Sequence, residues 1–481
     1  MLQPRMPSDA APTPWRPIAA RLALVAAVFL ALVVVRQLYT AGAALLALKR
    51  PAIYLPAALG AVMLAMSAAL IGWRRAPVAA AALALAVFLA NDRVLASGDT
   101  HGAALLPYNI IRHGSLSLDG LVASPVPYWV VERDGRLWSR YPVAAAVLAA
   151  PIYLPAALGD GRAGALPQTE KLAAAILAAI SVGFVLAALL RLGAPRWLAL
   201  TATALYALGS PVLTTASQAL WQHGPGVLAL SAALWGALRA RDDPRFDAVT
   251  GAFCGVAVVA RPTNALVAAA VLASIALRGP RPLGRALISA AGPLALLGAY
   301  QASVFGSPFA TGYGTEVSAF TTPLGEGLRA LIFSPTRGLL AFVPWAVLSA
   351  AGLARGARRD PLLAMLGVSV VATILLYAKW HAWWGGWCYG PRLLADLSPV
   401  LALALGSLAD APRRLLTPAL VLTGMLAIGV NGLGTFASRS QAARAVYDVR
   451  DEAQAMEAWR WPPAGLASAG LQAMSGGARD R

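Results

Sequence analysis

The 481 residues are 59% hydrophobic and only 12% charged, and apolar runs of membrane-spanning length recur along them, which excludes an ordinary water-soluble globule. The formal charge of +18 arises from 39 basic and 21 acidic residues. The basic residues are scattered among short stretches between apolar runs, without a basic face or a DNA- or RNA-binding motif, so nucleic acid is not the expected partner.

In chain order, Arg5 and Arg16 precede an apolar run that ends in Val33-Val34-Val35-Arg36 without a small-residue cleavage site, the pattern of an uncleaved first span. Apolar windows predict spans near 18–36, 52–73, 77–94, 170–190, 197–215, 219–238, 247–261, 262–277, 286–304, 338–354, 361–378, 393–409 and 415–436, about 13 in all. The stretch 141–158 is apolar too, and whether it crosses fixes the side of everything after it. If it does not cross, the clusters Arg191/Arg196, Arg239/Arg241/Arg245, Arg278/Arg281/Arg285, Arg355/Arg358/Arg359 and Arg413/Arg414 share a side with Arg5, Arg16 and Arg74/Arg75. Cytoplasmic loops are enriched in Lys and Arg, which favours that arrangement. Segment 141–158, with Pro142, Pro151 and Pro155, is therefore expected to be a hairpin or interfacial element on the outer face, Lys49 and Arg50 being the misfit.

The expected fold class is thus an all-α polytopic transmembrane bundle, N-terminus cytoplasmic and C-terminus outside. Residues 1–95 hold the N-terminal spans and 96–169 an outer loop with juxtamembrane helices. Residues 170–436 form the main bundle, with outer loops 305–337 and 379–392, and 437–481 form a short outer tail. All four histidines fall outside in this topology, so the polar chemistry is expected there. Two cysteines, Cys254 in an apolar run and Cys388 in a loop, do not make a disulfide framework.

Segment 97–141 begins Ser97-Gly98-Asp99-Thr100-His101. An acid just past a span is costly unless used or paired. Asp99 reads either as the N-cap of a helix running from about His101 to His113 or as a general base for an acceptor hydroxyl. Tyr108 and Arg112, four apart, share a face of that helix. Further along, His223 in Trp221-Gln222-His223-Gly224 and Arg261 between two short apolar halves read as cavity-facing or paired groups, or else as belt and snorkelling residues. Arg337 re-enters the membrane at Phe333-Ser334-Pro335-Thr336-Arg337-Gly338. The most conspicuous segment is Lys379-Trp380-His381-Ala382-Trp383-Trp384-Gly385-Gly386-Trp387-Cys388-Tyr389-Gly390-Pro391-Arg392. Its Trp383, Trp384, Trp387 and Tyr389 suit a lipid or substrate at the headgroup boundary, and Lys379, His381, Arg392 or Arg337 suit an anionic phosphate.

No Walker P-loop, zinc-binding His-Glu-x-x-His helix or Gly-x-Ser-x-Gly elbow is present, which disfavours ATP-driven transport and zinc proteolysis. No convincing internal repeat supports a secondary transporter, although the broken 247–277 segment leans that way.

The Asp at the start of the large outer loop, the helix after it, Ser139-Arg140-Tyr141-Pro142, and the late Trp-Gly-Gly-Trp and Tyr-Gly-Pro-Arg motifs together resemble the GT-C membrane glycosyltransferases. Those are relatives of the dolichyl-phosphate-mannose-protein mannosyltransferases and lipid A aminoarabinose transferases. The resemblance covers roughly 77–410. It implies a polyprenyl-phosphate sugar donor, a glycan, lipid or protein acceptor, a site on the outer face of the bacterial cytoplasmic membrane, and Asp99 as the catalytic acid residue. It requires no cofactor and is compatible with a divalent cation. The chain departs from the family's pattern in two extra spans before the Asp loop and in its short tail. The alternative reading is a lipid-linked oligosaccharide flippase or other secondary transporter.

Overall fold

Proline and glycine, more than hydropathy, set where the helices of this chain stop, because proline lacks the N–H that an interior helical turn requires. A computed structural model describes residues 75–91, 93–159 and 166–436. The expected spans 18–36 and 52–73 and the tail 437–481 lie outside the described residues. The helices are α1 (Ala76–Phe88), α2 (Gly98–His113), α3 (Ala144–Leu158), α4 (Leu166–Arg191), α5 (Arg196–Leu208), α6 (His223–Arg239), α7 (Arg245–Ala260) and α8 (Ala265–Ala276). They continue with α9 (Pro280–Phe305), α10 (Leu324–Phe333), α11 (Leu339–Phe342), α12 (Ala346–Gly356), α13 (Pro361–Lys379), α14 (Ser398–Leu405) and α15 (Arg413–Phe436).

Among the described residues, four helices are long and apolar enough to cross a membrane: α4 from Pro167, α9, α13 and α15. Other expected spans are helical but interrupted. The 197–215 window is α5 and then, after Pro211, a single π-helical turn Val212–Ala216. The 247–277 segment breaks at Arg261-Pro262, the 338–354 window at Pro344 between α11 and α12, and the 393–409 window opens as a tight 3₁₀ turn, Arg392–Leu397. Helix α9 exposes Leu287, Ile288, Leu294 and Leu296. A protein with that much uncovered apolar surface belongs in a hydrocarbon medium, and this is a membrane protein.

Helices α7 and α9 approach almost backbone to backbone. A Cβ at Gly251 would collide with the carbonyl of Ala286, and one at Gly255 would come within 2.6 Å of the Ala290 oxygen. Glycines four residues apart make the small-xxx-small face that close helix approach in a membrane requires. Gly251→Val is accordingly expected to push α9 away and lower the thermal midpoint of the purified protein. An unchanged midpoint would show that α9 is not held by this contact.

Ion pairs gather five polar turns at one end of the bundle. Arg191 bonds Asp242, Arg241 bonds Asp360 at 2.8 Å, Arg359 bonds Asp410 at 2.5 Å, and Arg278 and Arg285 both reach the fully buried Asp247. Helix α6 runs from His223 to Arg239, and α13 from Pro361 to Lys379. Their other ends therefore carry His223 and the Trp-rich loop away from these turns.

At that opposite end, α2 and α3 pack over a short β-hairpin around Leu106, Leu118, Trp129, Val130, Val143 and Ala146. The hairpin corrects the all-α expectation: β1 (Val130–Arg133) pairs antiparallel with β2 (Arg136–Ser139), Val130 opposite Ser139. Asp134 and Gly135 turn it with φ of 52° and 70°, as an Asp-Gly two-residue turn does. Helix α3 packs Ala145, Ala149 and Tyr153 against Ala103 of α2 and against Ala173, Ala174 and Leu177 in the early turns of α4.

Candidate active site

Helix α2 presents Asp99 by sparing it from capping. The side chain of Ser97, not Asp99, is the N-cap, its Oγ accepting from the Asp99 amide at 3.2 Å, and the helix begins at Gly98, three residues before the expected start. The expectation that Asp99 caps the helix is thus corrected: the cap lies two residues upstream and the carboxylate points elsewhere. Its Oδ1 accepts from the hydroxyls of Tyr141 at 2.8 Å and Tyr128 at 3.1 Å, and its Oδ2 from Arg392 Nη1 at 2.6 Å. Tyr141 is delivered by the hairpin, whose register continues in the bond from Arg140 N to Trp129 O. The Arg392 guanidinium lies 4.5 Å over the ring of Trp221, and the Trp221 indole N–H donates to Leu95 O at 2.9 Å.

Burial alone would raise the Asp99 carboxyl, but Arg392 and the two tyrosine hydroxyls outweigh it and hold it below its ordinary value of 3.8. Burial and the Asp99 charge push the Tyr128 hydroxyl up to about 12 and raise Tyr141 further. Both tyrosines stay protonated donors. A carboxyl lowered by folding adds stability that is complete above 3.8 and is lost as pH falls through its lower folded value. The thermal midpoint of the wild type should therefore fall more steeply than that of Asp99→Asn as pH drops below 3.8. Parallel midpoint curves for the two proteins would show that the pair adds nothing to stability.

Beneath Arg392, the same 3₁₀ turn carries Asp396, which is buried together with His223 and Arg261. Asp396 Oδ2 accepts from Arg261 Nη1 at 2.6 Å and lies 3.0 Å from His223 Nδ1, while Arg261 also donates to Leu393 O at 3.3 Å. Arg261 further sits 5.1 Å over the Tyr377 ring. Two expected residues, His223 and Arg261, therefore meet in one network that fixes the Arg392 turn from below.

The Trp-rich loop is not a uniform surface. Trp383 is buried beside Ala330 and edge-on to Trp384, and Tyr389 is buried with its hydroxyl donating to Val430 O at 2.9 Å. Trp387 is exposed. Gly385 and Gly386 take φ of 76° and 68°, and side chains there would come within 3.7 Å of Arg392 Nε and 3.9 Å of Nη2. The two glycines pack against that edge of the guanidinium, where Arg392 Nε is buried and has no hydrogen-bond partner among the described residues.

The remaining expected residues sit elsewhere. Arg337 is buried and braces the loop by donating to Gly386 O at 3.3 Å. The His381 ring lies 4.8 Å from that of Trp380, and Lys379 accepts from Thr322 N through its backbone carbonyl at 3.1 Å. Arg112 lies 5.8 Å over the Tyr108 ring and donates to Gly159 O at 2.9 Å, tying the far end of α2 to the end of α3. Loop 305–337 reaches the site through Tyr313, which donates to Gln222 at 3.2 Å and meets Tyr141 edge-on, and through the Glu316–Arg140 pair at 2.9 Å.

Among the described residues, no group of three or more His, Cys, Asp or Glu side chains is arranged to hold a metal ion. The Asp99 oxygens are taken up by Arg392, Tyr141 and Tyr128. The free cysteines, Cys254 and Cys388, are both buried.

No family model and no curated protein matches the chain. Among solved structures it is similar to the Archaeoglobus fulgidus oligosaccharyltransferase, described as a complex with zinc and sulfate, with 14% identity and a TM-score of 0.43. The match covers 76% of this chain and 54% of that one, so the present chain spans about half the length of that protein.

Proposed function

We propose that this chain is an inverting membrane glycosyltransferase of GT-C type. It moves a sugar from a polyprenyl-phosphate donor to a lipid, glycan or protein acceptor on the outer face of the bacterial cytoplasmic membrane. The observation that carries this reading is the Asp99 carboxylate paired with Arg392, whose buried Nε has no hydrogen-bond partner among the described residues and lies against Gly385-Gly386 at one end of an apolar bundle. The five Arg-bearing turns at the other end would face the cytoplasm.

The chemistry asks little more of the protein. The donor already carries a good leaving group, so the enzyme has to align the acceptor, take its proton and stabilise the departing phosphate. Donor phosphate, entering where only glycines flank the guanidinium, takes the unpartnered Nε of Arg392 and draws the guanidinium from Asp99. The carboxylate, relieved of its cation, becomes a stronger base and accepts the proton of the acceptor hydroxyl. The acceptor oxygen then bonds to the anomeric carbon from the side opposite the phosphate, and the carbon–oxygen bond to phosphate breaks. Polyprenyl phosphate leaves on Arg392, and the anomeric centre is inverted. Tyr141 and Tyr128 keep the carboxylate aimed throughout.

The test is transfer of a tritiated hexose from polyprenyl phosphate to an envelope lipid and glycan extract by the purified protein in lipid vesicles. The expected result is a labelled glycoside and stoichiometric polyprenyl phosphate. Movement of labelled lipid across the vesicle bilayer without a new glycosidic bond would replace this reading with the flippase.

A further inference from the structure

On a different side of α2 from Asp99, a cavity of about 590 Å³ opens between α2, the 121–127 segment and the first turn of α4. That volume is in the range of small-molecule sites. Its walls include Val94, Ala104, Leu105, Val122 and Trp129, and its ionisable lining groups are Glu170 and His101. Glu170 is only 4% exposed. Its Oε1 accepts from the Leu220 amide at 3.1 Å, and Thr100 adds a side-chain hydrogen bond. No lysine or arginine lines the cavity, and none is ion-paired with Glu170 among the described residues. The next residue, Lys171, sends its ammonium to Gln218 at 2.5 Å, a side chain that Asn91 also contacts at 3.3 Å.

An apolar chamber with a deeply buried carboxylate and no counter-cation among the described residues is selective by charge. An anionic head would meet a like charge in a low-dielectric wall, whereas a hydrogen-bond donor would satisfy the carboxylate. We propose that this cavity is a second ligand site, separate from the sugar-transfer centre, for an amphipath whose apolar body fills the chamber and whose hydroxyl or ammonium head bonds Glu170. His101, edge-on to Trp129 at 5.4 Å, stands exposed on the same cavity. The site stands on its own geometry and does not depend on the glycosyltransferase reading.

Photolabelling tests it without any transfer assay. Hexadecanol, hexadecylamine and hexadecanoate, each bearing a chain diazirine, are added at pH 9, where the buried carboxyl is ionised and the amine still charged, to the purified protein in zwitterionic nanodiscs, and labelled peptides are mapped by mass spectrometry. Saturable labelling of 94–129 and 167–170 by the alcohol or the amine, several-fold above the acid, supports the proposal, and the stronger of the two names the head group. Glu170→Gln should lower amine labelling about tenfold and leave alcohol labelling within about twofold, since the amide keeps an acceptor oxygen but loses the charge. Ala104→Trp should abolish all of it by filling the chamber. Equal labelling by the acid in the wild type, which needs no variant to fold, overturns the proposal, as does labelling that survives Ala104→Trp.

Discussion

Asp99→Asn is expected to reduce sugar transfer by about 10³-fold, within the range for loss of a positioned general base, while increasing the affinity for polyprenyl phosphate. The two effects have one cause. The carboxylate that would take the acceptor's proton is also the group that occupies Arg392, at 2.6 Å. Replacing it with a neutral amide removes the base and frees the cation together. Transfer and equilibrium binding of labelled polyprenyl phosphate, measured on one preparation, separate this from a folding defect, in which both fall. Transfer near the wild-type level would dispose of Asp99 as the base. Binding that weakens in a well-folded Asp99→Asn protein would mean that the donor does not compete for Arg392.

Asp396→Asn is expected to be the most damaging single change to stability. The carboxylate lies against Arg261 and His223 with no more than 9% exposure of any of the three residues. Removing one partner of a buried pair strands the other charge and costs about 3–5 kcal/mol. That is a large part of the margin by which most proteins stay folded. The double variant Asp396→Leu with Arg261→Met, which strands no charge between them, should recover most of the loss in thermal midpoint. Additive effects of the two single changes would show that the residues do not act as a pair.

How much could be read beforehand differs from one residue to the next, for identifiable reasons. Asp99 and Arg392 stood out because each is an ionisable group beside an apolar run, and the cost of placing charge there points to use. Their bond to each other was invisible, since nothing in a linear order links positions this distant. Asp396 is hidden inside an apolar window, although the cost of burying charge applies to it more strongly. Glu170 and Lys171, at the start of a predicted span, are hidden in the same way. The hairpin carries a legible signal, Asp134-Gly135 between short apolar stretches, which is local and weak beside the long apolar runs around it. Tyr128 and Tyr141 gave no signal of their own, because which tyrosines reach a carboxylate depends on hairpin register. Helix lengths went wrong wherever an interior proline divided a window that hydropathy alone treats as continuous.

The pair at the centre of the site joins residues 293 positions apart. A membrane chain is made and inserted from its N-terminus, so the Asp99 half of the site is in place long before the Arg392 half exists. Until the late helices have entered, the early carboxylate has no cation, and the prospective donor seat has no guanidinium. On the proposed function, a chain that stalls or is released early would be inert toward a lipid-linked sugar, and sugar transfer would be a direct readout of completed assembly.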